Sequence, residues 1–189
     1  MESPDEPAKK KRRKLSFSVP QLTRSADCNW VSRFNLDGKV TKTLHEVGDG
    51  GSSRVYKGFI GEKMVAVKQL KFYSPRFASS LIAAYEGLFE LSHSNVVKVL
   101  GICPKEGYII MEYCEKNIDG IAVRTLADMQ LQFGTSLPID LRITAIADIT
   151  DGIEYLHEKS VIHGDIKPLN VLVCGREMSF ALRSQIMHV

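Results

Sequence analysis

Hydrophobic and polar positions change their period several times along the chain, and each change marks a predicted element. Val65 and Val67 alternate with Ala66 and lead into Lys68, the pattern of a half-buried strand that ends on an ammonium. A turn, Ile60-Gly61-Glu62-Lys63, precedes that strand, and the small-residue stretch Val47-Gly48-Asp49-Gly50-Gly51-Ser52-Ser53-Arg54-Val55 precedes the turn. Residues 76–91 switch to helical spacing, with apolar side chains at 77, 81, 82, 85, 88, 89 and 91. Residues 96–103 and 108–113 read as two strands joined by Pro104-Lys105-Glu106-Gly107. Residues 117–124 fit no clear period. Beyond them a short helix is predicted over 126–133 and a longer one over 138–158. Pro138 suits a first helical turn, and Ile139, Ile143, Ile146, Ile149, Ile153 and Leu156 form the face expected to be buried.

The chain then sets three polar groups at fixed spacing between two apolar runs, in Val161-Ile162-His163-Gly164-Asp165-Ile166-Lys167-Pro168-Leu169-Asn170-Val171-Leu172-Val173. Asp165, Lys167 and Asn170 alternate with Ile166, Pro168 and Leu169, so one side of a loop can anchor while the other presents a carboxylate, an ammonium and an amide. An Asp can accept a hydrogen bond from an attacking hydroxyl, a Lys can neutralise a moving phosphoryl group, and an Asn carbonyl can ligate magnesium. Taken alone this is equally a polar turn, and the small-residue stretch alone is equally a hairpin turn. Their order and spacing, with the Val-Ala-Val-Lys strand between them, distinguish them.

Together these stretches resemble the protein kinase family, with a serine/threonine-type ending in Lys167-Pro168-Leu169-Asn170 and the flavour of the tyrosine-kinase-like group. The resemblance implies an α+β fold: a small lobe of antiparallel sheet plus one helix over 41–113, and the start of a helical large lobe over 115–173. It implies ATP and magnesium as cofactors and a protein substrate or partner kinase. In its terms Asp165 and Lys167 are the catalytic pair, and Asn170 is the magnesium ligand. Gly48, Gly50, Gly51 and Ser53 let a hairpin backbone approach phosphates, with Ser53 standing where the family usually has a third Gly. Val55 is expected over the adenine ring, with Ala66 counted among the nucleotide-binding residues. Lys68 is expected on the alpha and beta phosphates. Met111, Glu112 and Cys114 fall at the hinge, with Met111 gating the back pocket. Glu86 is the nearest candidate to pair with Lys68, although the family position counts back to Ala84, roughly 200° away around a helix. His163 is a packing residue under the loop. Gly164 replaces the usual Arg, which suggests a kinase not switched by loop phosphorylation.

The resemblance runs to about residue 173, and residues 174–189 match nothing. Kinases place Asp-Phe-Gly a short hairpin after the loop Asn, yet residues 171–189 contain no Asp and read Ser179-Phe180-Ala181-Leu182-Arg183-Ser184-Gln185 in that region. A truncated or alternatively spliced product is therefore expected, one that leaves apolar faces uncovered.

Composition adds boundaries. With 44% hydrophobic and 25% charged residues, the 189-residue chain suits one sizeable core. Residues 1–25 hold seven Lys/Arg against three acids, including the run from Lys9 to Lys14, leaving eighteen basic against nineteen acidic residues elsewhere. That segment reads as a disordered tail, a candidate for nuclear localisation, and Ser16 and Ser18 beside the run could modulate it by phosphorylation. A cytoplasmic or nuclear protein is expected. Residues 26–40 form a lead-in segment in which Trp30 and Phe34 could pack onto the domain. The four cysteines show no Cys-x-x-Cys pair and read as reduced thiols, and no apolar run is long enough to span a membrane. Two functions compete: a serine/threonine-type protein kinase, and a non-catalytic kinase-like module that binds or competes for partners. Nucleic-acid binding lacks a supporting fold motif.

Overall fold

A computed structural model describes residues 29–174 and 178–183; the basic run, the serines beside it and Cys28 lie outside the described residues. Five antiparallel strands form the main sheet: β1 (Thr41–Asp49), β2 (Ser53–Ile60), β3 (Lys63–Leu70), β4 (Val99–Cys103) and β5 (Tyr108–Glu112), in the order β1-β2-β3-β5-β4. Pairing is set by Val55 opposite Lys68 and by Ala66 opposite Met111. Because strand side chains alternate, Val55, Ala66, Ile109 and Met111 join one apolar cluster while Val65, Val67, Cys103 and Ile110 join another on the opposite face. The strand predicted as half-buried is thus buried on both faces.

Ahead of the sheet, α1 (Asn29–Phe34) leads to a turn at 37–39, where the Lys39 amide donates to the Leu36 carbonyl at 2.9 Å. Phe34 stacks on Phe89 with ring centroids 4.3 Å apart, which docks the lead-in segment on the small lobe. The helix predicted over 76–91 is shorter. It comprises a 3-10 turn at Pro75–Phe77, α2 (Ala78–Tyr85) and a second 3-10 turn at Glu86–Leu88.

Residues 117–124 fold into a small hairpin, β6 (Lys116–Ile118) and β7 (Ile121–Val123), turned at Asp119 and Gly120 with φ of 51° and 85°. That positive-φ pair is the turn an Asp-Gly dipeptide favours. Next, α3 (Leu126–Phe133) opens on a capping box between Thr125 and Asp128, and α4 spans Ile139–Glu158. The buried face of α4 differs from expectation. Ala145, Gly152 and Leu156 are buried and Ile149 and Ile153 are half-buried, but Ile139, Ile143 and Ile146 are 66%, 57% and 66% exposed. The helix is apolar on two sides, and the described chain covers only one.

That side is covered by β9 (Ser179–Leu182), which pairs in a hairpin with β8 (Val171–Cys174). Phe180, Ala181 and Leu182 are essentially inaccessible, so a stretch the sequence left unmatched is core. Its ties reach both ways. The Phe180 amide donates to Asp148 Oδ2 on α4 at 2.8 Å, and the Asn95 Nδ2 amide donates to the Phe180 carbonyl at 2.9 Å. The Val97 amide donates to the Leu182 carbonyl, also at 2.9 Å, linking β9 to the approach to β4. Where α4 crosses that approach, a Cβ on Gly152 would lie 2.6 Å from the Asn95 carbonyl oxygen, so the close packing requires glycine. Two cysteines read as thiols are bonded instead: a disulfide joins Cys114, just beyond β5, to Cys174 at the end of β8. Their Cα atoms lie 4.8 Å apart although sixty positions separate them in sequence, a proximity that only the fold creates. Cys103 is free and buried.

Candidate active site

Lys68 lies on β3, on the face that carries Val55 and Ala66, and is only 9% exposed. Burial pushes its pKa down to about 8, with the nearby Arg183 charge adding to the effect; no carboxylate among the described residues opposes it. Glu86 begins the 3-10 turn that ends α2, and it forms no ion pair with Lys68 among the described residues. The tightening of the chain at Glu86 is the physical reason: the helix that would carry a partner stops at Tyr85. Ala84, at the position counted from the family, has no charge to offer.

The small-residue stretch forms the β1–β2 turn. There the Gly50 amide donates to the Ser53 carbonyl at 2.9 Å, so this amide is committed inside the turn. Gly51 stands in open space and Ser53 is buried. Asp49 accepts from Lys71 and lies 3.5 Å from Arg54; the Lys71 hydrogen bond is the main influence holding its carboxyl below the usual range. Met111 is buried in β5 opposite Ala66. Glu112 closes that strand by accepting from the Lys98 amide at 2.8 Å through Oε1, and Cys114 is held by its disulfide.

The loop after α4 is bound together by its own polar groups. Gly164 turns at φ 72°, a left-handed conformation that glycine adopts without strain. Asp165 Oδ2 accepts from Asn170 Nδ2 at 2.8 Å and lies 2.9 Å from Lys167 Nζ; the Lys167 hydrogen bond leads in lowering its pKa. Asn170 Nδ2 also donates to the Asp165 carbonyl at 2.8 Å. His163 is buried beneath, and burial lowers its pKa, keeping the ring neutral. Its Nδ1 accepts from the Asp165 amide at 3.3 Å, so Nε2 carries the proton and donates to the Arg183 carbonyl at 2.8 Å. The packing role expected of His163 matches this geometry.

Arg183 is the residue sequence reasoning passed over. It follows β9, and its amide donates to the Asn170 carbonyl at 2.9 Å. Its guanidinium donates through Nη2 to Asn170 Oδ1 at 3.0 Å. Burial lowers its pKa, an effect Asp165 partly offsets, and its Nε is a buried donor with no partner among the described residues. The hairpin therefore returns an arginine to Asn170, where the family pattern has an aspartate. Only the pairing of β8 with β9 fixes that register.

The structure thus brings together Asp165, Lys167, Asn170 and Arg183, with Lys68 within electrostatic reach of Arg183, and leaves Glu86 outside. A magnesium ion does not fit this donor set. The Asn170 oxygen that would ligate it already accepts from a guanidinium, and the neighbouring group from β9 is a cation.

The protein tyrosine and serine/threonine kinase family profile matches residues 41–181, past residue 173 and into β9. Among relatives, a probable LRR receptor-like serine/threonine-protein kinase of Arabidopsis thaliana is 31% identical over 164 residues, covering 84% of this chain and 14% of that protein. A probable serine/threonine-protein kinase PknB of Lactococcus lactis is 32% identical over 143 residues, 70% of this chain and 21% of the relative. A probable cyclin-dependent kinase 8 of Dictyostelium discoideum is 35% identical over 155 residues, 77% and 40% of the two chains. The chain therefore spans less than half the length of each of these relatives. It belongs to the protein kinase family. Its five-stranded sheet and helices are the small lobe and the start of the large lobe.

Proposed function

We propose that this chain is an ATP-binding kinase-family module that engages or competes for protein partners, and that phosphoryl transfer to protein Ser/Thr is the family's activity rather than its own. Adenine would be held by Val55, Ala66 and the hinge residues Met111, Glu112 and Cys114. The phosphates would meet the Gly48–Ser53 turn and Lys68. Asp165 and Lys167 keep the spacing that in the family serves the substrate hydroxyl and the transferred group.

The observation carrying the non-catalytic reading is the Arg183–Asn170 hydrogen bond at 3.0 Å. It occupies the one amide oxygen the loop offers to a metal and adds a positive charge beside it. Phosphoryl transfer in this family relies on metal to neutralise the phosphates as charge develops. The test is transfer of labelled phosphate from ATP with magnesium to a generic protein substrate, run beside Asp165→Asn. No transfer above the Asp165→Asn level is expected, even at high chain concentration. Transfer by the native chain that disappears in Asp165→Asn would establish an active kinase instead.

A further inference from the structure

Lys68 on β3 is 9% exposed, and Arg183, just past β9, is half-buried with its guanidinium on Asn170 Oδ1 at 3.0 Å, close enough for its charge to act on Lys68. The carboxylate acting on Arg183 is Asp165, which is already held by Lys167 at 2.9 Å and Asn170 at 2.8 Å. Among the described residues, no carboxylate acts on Lys68. The buried Arg183 Nε has nothing to donate to among the described residues. Buried cations ordinarily sit against anions, because desolvating a charge without a counter-charge is costly. This cluster carries more positive charge than its own residues neutralise, and its spare donor belongs to the side chain best shaped for phosphate oxygens.

We propose that the site binds the polyphosphate of a nucleotide without a metal ion, with the Arg183 guanidinium and the Lys68 ammonium supplying the positive charge that magnesium supplies elsewhere in the family. The inference rests on the nucleotide-binding reading above and gives it a direction: magnesium should compete with the site for the phosphates. A hydrated divalent ion on ATP brings positive charge toward a guanidinium held in place, at its backbone by Asn170 and His163 and at Nη2 by Asn170 Oδ1.

The test uses the full chain, ATP and inorganic tripolyphosphate as probes, and thermal shift with calorimetric titration as readouts, in EDTA and in excess magnesium. Both probes are expected to bind in EDTA at least as tightly as in magnesium. Arg183→Met should weaken binding in EDTA by roughly 10- to 100-fold, the range expected for losing a charge-assisted hydrogen bond. Arg183→Lys, which keeps the charge, should retain most of the affinity and guards against a folding defect. Arg183→Asp should lose binding in EDTA and gain it with magnesium. Native binding that requires magnesium, or that is unchanged in Arg183→Met, overturns the metal-free site while leaving nucleotide binding standing. No binding of ATP under either condition overturns the nucleotide reading itself.

Discussion

A lysine that is 9% exposed and stands near a half-buried arginine keeps its proton only at a cost, and that cost has a pH signature. In the folded chain Lys68 titrates at about 8, against an ordinary 10.5. Below pH 8 it is charged in both folded and unfolded chains. Between about 8 and 10.5 the folded chain has released a proton that the unfolded chain still binds, so the Lys68 contribution to stability rises with pH across that window. Cys103 and Tyr85 pull the other way, since burial pushes the thiol and the phenol each up to about 12. The difference between the native chain and Lys68→Met separates the lysine from both. Lys68→Met should be the more stable protein at pH 7, by up to the order of 3 kcal/mol, with the gap shrinking between pH 8 and 10.5. Denaturant melts of the two proteins at pH 7, 9 and 10 measure it. A gap that stays constant would show that Lys68 has found an anion in the unliganded chain. The same titration makes metal-free anion binding weaken above pH 8.

At the scale of elements, α4 separates what the sequence makes legible from what it does not. Its length and its Pro138 start are readable from spacing, but its inward face is not, because two apolar stripes run along it. Contact with β9 selects the stripe through Ala145, Gly152 and Leu156 and leaves Ile139, Ile143 and Ile146 outside. Leu156→Ala should therefore cost about 2–5 kcal/mol, the usual loss for emptying a core position. Ile143→Ala should change stability by less than about 0.5 kcal/mol, as at an ordinary surface site. Chemical denaturation of the two variants decides between the stripes, and comparable losses would mean that Ile143 is covered after all. Other elements follow the same logic. The β3 strand and the loop from Asp165 to Asn170 are local patterns and were legible. The Asp119-Gly120 hairpin signal was present but lay in a stretch with no apolar period to draw attention to it. The early end of α2 was hidden because apolar spacing continues through Leu88 and Phe89 into the 3-10 turn. Arg183 was hidden for a different reason: its place beside Asn170 depends on the register of β8 against β9, which is not a local property.

At the scale of the molecule, the two parts of the chain are held by different kinds of bond. Backbone hydrogen bonds with Asn95 and Val97 fasten β9, and the disulfide fastens Cys174 at the end of β8 to Cys114, two residues beyond β5. A crosslink between residues sixty positions apart limits the unfolded chain more than the folded one, and loop-closure entropy puts the stabilisation at about 4 kcal/mol. Reduction should lower the urea midpoint by a corresponding amount. Cys174→Ser should melt like the reduced native chain and should not respond to reductant, since Cys103 stands alone among the described cysteines. A midpoint that is the same in oxidised and reduced protein would mean that the backbone bonds to β9 alone hold the hairpin. Because that hairpin also carries Arg183 to Asn170, the comparison bears on the site as well. If the strands stay paired without the disulfide, the arginine is placed by its own backbone bonds to Asn170 and His163. If they separate, the charge beside Lys68 depends on a covalent link between the lobes.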